Sequence, residues 1–222
     1  MYVRGLNQIL IAWAAKPACF VISLLPFGWL IYAATADQLG ANPAQALVRA
    51  TGDWTIRFLC LALAVTPLRQ WLGLTGLARM RRMLGLFTFF YALLHLFSYA
   101  WFDMGFEPDD IVHDIAKRPF ILVGFLTFLL LTVLALTSFD RAVRWLGGAR
   151  WRALHRMVYL IAGLAVLHFF WIRAGKNDFA EVLLYALILG ALLAWRFIRR
   201  VARGASDRPP SRAAESDGSA RH

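Results

Sequence analysis

The chain has 222 residues, of which 60% are hydrophobic and only 17% are charged. Soluble domains carry about 25% charged residues, so this composition excludes an ordinary soluble fold. The formal net charge of +11 is high, but the basic residues lie between and beyond the apolar segments, as membrane insertion requires. The composition therefore predicts a membrane protein embedded in a lipid bilayer, with no role in binding nucleic acid.

Six apolar segments are candidates for membrane spans. A spanning helix needs roughly 20 apolar residues, because the hydrocarbon core is about 30 Å thick and an α-helix rises about 1.5 Å per residue. The second segment is short, but Arg57 lies only a turn inside it and can extend to the interface. We predict an all-α polytopic bundle of about six transmembrane helices, at about 17–36, 54–68, 83–102, 119–138, 153–172 and 180–198.

The first apolar segment has a second interpretation. Arg4, the apolar run and the small residues Ala34, Thr35 and Ala36 resemble a signal peptide with its cleavage site. The run is long for that purpose and contains Pro26, so we favour a retained helix. Cleavage would leave five spans.

Lys and Arg alternate between the loops. The loops after the second and fourth predicted spans are basic, whereas the intervening loops are rich in Asp and Glu. Because basic loops stay in the cytoplasm, the acidic loops are predicted to be periplasmic and both termini cytoplasmic. The membrane domain is predicted to cover residues 1–200, and the polar residues 201–222 are predicted to form a disordered cytoplasmic tail.

Three histidines stand inside the predicted spans, where an ionisable side chain is costly and points to function. His95 lies about twelve residues from the inner end of the third span, and His168 about fifteen from the inner end of the fifth. Both spans run in the same direction, so the two imidazoles lie at similar depth in the outer half of the bilayer. Two such imidazoles can ligate haem iron from both faces, as in membrane cytochromes b. The plainer alternative is a pair of buried histidines that hydrogen-bond between helices.

The third histidine, His155, precedes His168 by thirteen residues, or about 20 Å along a helix. On an ideal helix the two side chains point roughly 140° apart, unless Gly163 permits a local irregularity. Arg81 and Arg82 occupy the corresponding level of the third span, so that span offers His155 no partner. His155 is therefore either a ligand of a second haem completed by another group or part of a pocket.

Four arginines near the inner ends of the third and fifth spans have two interpretations. They could pair with haem propionates or with a flavin phosphate. The simpler interpretation is that they set the orientation of the chain in the membrane. The residues are Arg81, Arg82, Arg152 and Arg156.

Several segments together resemble a known family. They are residues 51–54 (TGDW), 65–69 (VTPLR), 81–86 (RRMLGL), 117–120 (KRPF), 151–160 (WRALHRMVYL) and 168–171 (HFFW). Over residues 17–200 the chain resembles the MsrQ (YedZ) family, the haem-binding membrane subunits of the MsrPQ system. That family lies within the ferric-reductase-like transmembrane group.

The resemblance implies one or two haems b held by His95, His155 and His168, and FMN as a further cofactor. It implies an electron-transfer subunit of the bacterial inner membrane, rather than the catalytic subunit of the system. Electrons would come from the quinone pool or a cytosolic flavin reductase. They would pass to a periplasmic molybdenum-containing MsrP that repairs methionine sulfoxide in oxidised proteins.

Two other functions remain open from the sequence. One is a ferric or superoxide reductase of the same membrane group. The other is a haem-free membrane assembly or transport protein. The lack of an internal repeat, and of Asp or Glu within the predicted spans apart from Glu181 at the very start of the sixth, argues against a proton-coupled carrier.

Overall fold

The computed structural model describes residues 2–175 and 177–206, and within these ranges the chain forms helices and no β-strand. A 3₁₀ turn, Thr75–Arg79, precedes α4, and a π-helical turn, Tyr99–Asp103, follows it. The predicted all-α polytopic fold is confirmed. The ten helices are α1 Tyr2–Ile11, α2 Ala15–Thr35, α3 Pro43–Trp71, α4 Arg81–Ser98, α5 Pro108–Lys117, α6 Pro119–Leu136, α7 Asp140–Leu146, α8 Gly148–His155, α9 Val158–Ala174 and α10 Ala180–Ser206. Residues 207–222, most of the predicted tail, lie outside the described residues.

Five of the six predicted spans correspond to stretches that are long and apolar enough to cross a membrane. These are Ala15–Thr35, Arg81–Asp103, Pro119–Leu136, Gly148–Ala174 and Ala180–Ala202. The other predicted span, 54–68, lies within α3. This helix has 29 residues and is roughly 44 Å long, which exceeds the thickness of the hydrocarbon core. Its charged residues make it less apolar than the other five.

Helix α3 begins well before the predicted span. The side chain of Asn42 accepts a hydrogen bond from the backbone N–H of Gln45 at 3.0 Å, and Pro43 occupies the first turn, so the local sequence starts the helix there. The early start brings Arg49 and Asp53 onto the helix. Because the predicted span begins at residue 54, Asp53 is not among the residues predicted to lie in the membrane.

Hydrogen bonds between helices show which helix ends lie together. His95 near the end of α4 meets Val48 near the start of α3, and Trp151 of α8 donates through Nε1 to the carbonyl of Thr137 at 2.8 Å. The starts of α3 and α6 lie at one end of the bundle, which we call the outer end in keeping with the predicted orientation. The opposite end is called the inner end. At the inner end Arg82 pairs with Asp140 at 2.6 Å.

The buried core runs along the length of α3. One cluster joins α3 to α9 and α10 and is centred on Leu59, Ile161 and Leu189. A second joins α3 to α4, where the ring of Phe58 stacks on that of Tyr91 with 5.1 Å between centroids. Because α3 contacts both halves of the bundle, it holds the other helices in register.

Two short amphipathic helices were not predicted. At the inner end α1 packs against the 3₁₀ turn, and the side chain of Asn7 donates to the carbonyl of Gly73 at 2.9 Å. At the outer end α5 packs against α6, and Asp114 accepts hydrogen bonds from Tyr99 at 2.8 Å and from Arg118 at 2.9 Å. Neither helix is long enough to span a membrane, so apolar runs in the sequence do not indicate them.

The fifth predicted span is interrupted. Helix α8 ends at His155, residues 156–157 form a turn, and α9 starts at Val158. His155 and His168 therefore do not lie on one ideal helix, because the helix is interrupted directly after His155. The interruption does not lie at Gly163, which sits inside the continuous helix α9.

Candidate functional site

The structure brings His95 and His168 together at the outer end of the bundle. Their ring centroids lie 6.3 Å apart, and the ring planes are nearly perpendicular at 78°. Nδ1 of His95 donates to the carbonyl of Val48 at 2.8 Å, and Nδ1 of His168 donates to the carbonyl of Phe120 at 2.6 Å. These bonds fix each imidazole as the tautomer whose Nε2 is free to ligate a metal.

The spacing of the two rings fits two axial ligands on one iron. A metal–imidazole bond is roughly 2 Å long and the nitrogen lies roughly 1.2 Å from its ring centre, which gives about 6.4 Å between the centres of opposed ligands. Within the described residues no group of three or more His, Cys, Asp or Glu could hold a bare metal ion. As two ligands, the pair would suit a haem iron, whose other ligands belong to the macrocycle.

Two glycines allow the imidazoles to approach their neighbouring helices. A Cβ added at Gly124 would lie 2.6 Å from Cε1 of His168, and a Cβ at Gly52 would lie 3.2 Å from Cε1 and Nδ1 of His95. The first distance is shorter than any real contact of this kind, so only glycine leaves room for the ring of His168. Gly52 and Gly124 thus lie behind the two rings, on α3 and α6.

The histidine pair borders a cavity of about 330 Å³, which we call the outer cavity. Its deeper part is lined by Ile56, Phe128 and Leu131, which supply apolar surface. Its other part, towards the outer end, carries most of the charge. The ionisable side chains there are Arg49, Asp53, Tyr99, Asp103, Arg118 and Arg173.

His155 lies elsewhere, beside a separate cavity of about 220 Å³ towards the inner end, which we call the inner cavity. Its ring stacks on Trp151 with 4.0 Å between centroids, and its Nδ1 donates to the carbonyl of Trp151 at 3.2 Å. Nε2 lies 3.4 Å from the hydroxyl of Ser138. No second His, Cys, Met or Lys is found among the described residues that line this cavity.

The four arginines singled out in the sequence lie towards the inner end. Arg81 and Arg82 line the inner cavity, whereas Arg152 and Arg156 line neither cavity. The guanidinium of Arg82 donates to Asp140 and holds the pKa of that carboxyl below its usual range. This pair stabilises the fold above the ordinary carboxyl pKa, and the contribution is lost as acidification protonates Asp140.

Sequence reasoning missed the residues that surround the histidine pair. Arg49, Gly52, Asp53 and Ile56 recur at helical spacing on the face of α3 that borders the outer cavity. The TGDW segment contains two of them, but its spacing alone does not show which helix it faces. Nothing in the sequence indicated that Gly124 lies beside a histidine, because a glycine in an apolar helix has many ordinary uses.

The class of protein follows from the fold, the paired histidines and comparison with known families. A family described as "Ferric reductase like transmembrane component" matches residues 51–166, which include His95 and His155 and end just before His168. No solved structure matches the chain.

Curated relatives narrow the class. Proteins named "Protein-methionine-sulfoxide reductase heme-binding subunit MsrQ" are similar along nearly their whole length. The one from Polaromonas naphthalenivorans is 63% identical over 195 residues, covering 88% of this chain and 89% of that protein. Those from Herminiimonas arsenicoxydans and Rhodospirillum rubrum are 51% and 48% identical, covering 80% and 87% of this chain and 82% and 92% of theirs. The chain belongs to the MsrQ family, and it is a multi-pass protein of the bacterial inner membrane.

Proposed function

We propose that the chain binds haem b between His95 and His168 and carries electrons across the inner membrane to a periplasmic, molybdenum-containing MsrP. That partner would use them to repair methionine sulfoxide in oxidised periplasmic proteins. The observation that supports this most directly is the 6.3 Å separation of two imidazoles whose Nδ1 atoms are both held by backbone carbonyls. The names of the relatives, which describe them as haem-binding subunits, agree with it.

Haem b, which His95 and His168 would hold, would supply one-electron chemistry and favour outer-sphere electron transfer over reaction with oxygen. The chain's own residues contribute position and surroundings. Val48 and Phe120 hold the imidazoles through their carbonyls, while Gly52 and Gly124 leave room for the rings. The apolar side chains of the outer cavity keep water from its deeper part.

The inner cavity is the proposed place of electron entry. A quinol from the respiratory pool, or a flavin reduced by a cytosolic reductase, would reach the chain from this side under the predicted orientation. Arg81, Trp151 and His155 offer a cation, an indole plane and an imidazole to a planar ligand such as a quinone or FMN. Leu131 lines both cavities, so the two cavities approach each other at this buried side chain.

A difference spectrum of the purified chain tests the proposal. The full chain, purified in detergent, should show the reduced-minus-oxidised absorption of low-spin haem b. His95→Ala and His168→Ala should each lose most of the haem, because one imidazole cannot complete the pair. His113→Ala is the matched control, because His113 is exposed on α5 and should keep the haem level of the unaltered chain.

Two results would contradict the proposal. A correctly inserted chain without haem would favour the haem-free assembly or transport function. Full haem in both His95→Ala and His168→Ala would show that other residues ligate it. Reoxidation of the reduced chain by purified MsrP, only when methionine sulfoxide is present, would support the assigned partner, whereas reoxidation by ferric complexes alone would favour a ferric reductase.

A further inference from the structure

The charges around the outer cavity are arranged unevenly. Three arginines, Arg49, Arg118 and Arg173, lie at its outer part, whereas its deeper part is formed by apolar side chains such as Ile56 and Phe128. A ligand that fills this cavity would therefore meet three arginines, interspersed with Asp53 and Asp103, along one edge and hydrocarbon along the other.

The three arginines differ in how far their charges are already paired. Arg173 donates to both Asp178, at 2.8 Å, and Glu181, so its two terminal nitrogens are occupied. Arg118 uses Nε for Asp114 at 2.9 Å and keeps its terminal nitrogens. The side chain of Arg49 makes no hydrogen bond or ion pair with any residue in the ranges the structure describes, and the nearest carboxylate along α3 is Asp53, one turn further on.

Arg49 is also tied to the histidine pair through the backbone. It follows Val48, whose carbonyl accepts the hydrogen bond from Nδ1 of His95. It shares a face of α3 with Gly52, one turn further along, whose Cα lies against the ring of His95. The same turn of α3 therefore carries the guanidinium of Arg49 beside the outer cavity and the carbonyl that positions His95.

We propose that Arg49, assisted by Arg118, binds the two ionised carboxylates of the haem at the outer edge of the cavity. The assignment rests on the proposed function. This assignment differs from the pairing of haem propionates with arginines that the sequence suggested, because none of the four residues named there lines the outer cavity. Those residues are Arg81, Arg82, Arg152 and Arg156. Guanidinium and carboxylate form charge-assisted, often bidentate hydrogen bonds, which are stronger than neutral ones.

The experiment compares Arg49→Gln with Lys117→Gln in an optical redox titration of the full chain. Both residues are exposed and both substitutions remove one positive charge at the outer end, but only Arg49 lines the cavity. In Arg49→Gln the ratio of ferrous to ferric haem at a fixed ambient potential should fall roughly three- to tenfold, tenfold being about 59 mV for one electron. Arg49→Lys, which keeps the charge, and Lys117→Gln should stay near the unaltered ratio.

Haem retention supplies a second readout. Haem loss during washing in detergent should be faster in Arg49→Gln, and faster again when Arg118→Gln is added. The difference between Arg49→Gln and the unaltered chain should vanish when both are reconstituted with haem dimethyl ester, which has no ionisable carboxylate. A persistent difference with the ester would overturn the assignment.

Equal potentials and equal haem loss in Arg49→Gln and Lys117→Gln would also overturn it, because Arg49 would then be only one of several surface charges. These outcomes are distinct from failure of the proposed function. If the unaltered chain bound no haem, the proposed function would fail first, and the assignment of Arg49 with it.

Discussion

Two glycines behind the haem-ligand candidates are as informative as the histidines themselves. Gly124 leaves no room for a Cβ, whereas a Cβ at Gly52 would require the ring of His95 to move only by a few tenths of an ångström. Gly163 has no heavy atom within 4 Å of the position its Cβ would take. The space for an added methyl group therefore increases from Gly124 to Gly52 to Gly163.

Replacing Gly124 with Ala should displace His168. The new methyl group would clash with the ring, and groups that orient a metal ligand typically contribute roughly 10–100-fold to affinity. We expect Gly124→Ala to bind haem at least tenfold more weakly, as measured by competition with apomyoglobin for haem. Gly52→Ala should have a smaller effect.

Gly163→Ala is the control for the glycine series. It adds the same methyl group to a transmembrane helix where there is space, and Ala favours the helix more than Gly does. Haem affinity should be unchanged. Equal losses in Gly124→Ala and Gly163→Ala would show that the effect comes from helix packing in general rather than from the position of His168.

Sequence reasoning found the histidines of the site but not its glycines, for a physical reason. An imidazole in a membrane span is rare and costly, so His95, His155 and His168 stand out without a structure. A glycine matters only through the atom that faces it, and the partner of Gly124 is far away in the sequence. The interruption after His155 was also hidden, because neither Pro nor Gly occurs at residues 156–157.

At the scale of helices, side chains compensate for backbone hydrogen bonds that prolines remove. Pro67 in α3 has no N–H for the carbonyl of Leu63, and Nη2 of Arg196 from α10 donates to that carbonyl at 2.6 Å. In α2, near Pro26, the hydroxyl of Tyr91 donates to the carbonyl of Ser23 at 2.8 Å and accepts from the N–H of Phe27 at 3.1 Å. Such partners are needed because hydrocarbon offers none.

The link between Pro67 and Arg196 can be measured with a double-mutant cycle. Arg196→Gln should lower the free energy of unfolding by about 1–3 kcal/mol, because it leaves the carbonyl of Leu63 without its donor. In the Pro67→Ala background the helix supplies its own N–H, so the same substitution should cost less. Thermal unfolding in detergent, followed by circular dichroism, gives both values.

Arg200→Gln serves as the control for this cycle, since Arg200 lies one turn further along α10 and is exposed. It should change the unfolding temperature little in either background. If Arg196→Gln were equally costly in the unaltered chain and in the Pro67→Ala background, the guanidinium would stabilise the bundle by some route other than the carbonyl of Leu63.

The boundaries of the helices show where apolar runs predict well and where they do not. The five most apolar helices were found from composition, because burial in lipid leaves few alternatives for such sequences. The start of α3 was missed because its first turns carry Arg49 and Asp53, which face a cavity rather than lipid. The amphipathic helices α1 and α5 need the bundle surface to form, so their isolated sequences gave little signal.

For the whole molecule, the separation of the two cavities gives a test of how many haems the chain holds. His155 lies beside the inner cavity on α8, whereas His168 lies beside the outer cavity on α9. Substitutions at separate sites without shared partners usually act independently. His155→Phe should therefore leave haem at the outer pair and slow its reduction by a quinol analogue.

Haem per chain, from the pyridine haemochrome absorbance and amino-acid analysis, gives the outcome. Retention of about the unaltered haem content, together with slower reduction in stopped flow, would agree with an inner cavity that receives electrons without a haem of its own. Loss of about half the haem in His155→Phe would show that this residue ligates a second one.

The pairing of His95 with His168 also sets the order of events during synthesis. The two rings and their carbonyl partners belong to four helices, α3, α4, α6 and α9, so the site does not exist until α9 has left the ribosome. About 70 residues separate the two histidines, which at about 5–20 residues per second means several seconds in which His95 is already in the membrane and has no partner. Under the proposed function, insertion of the cofactor would therefore be a late step, after α9 has entered the membrane, and nascent chains that stop before α9 would lack it.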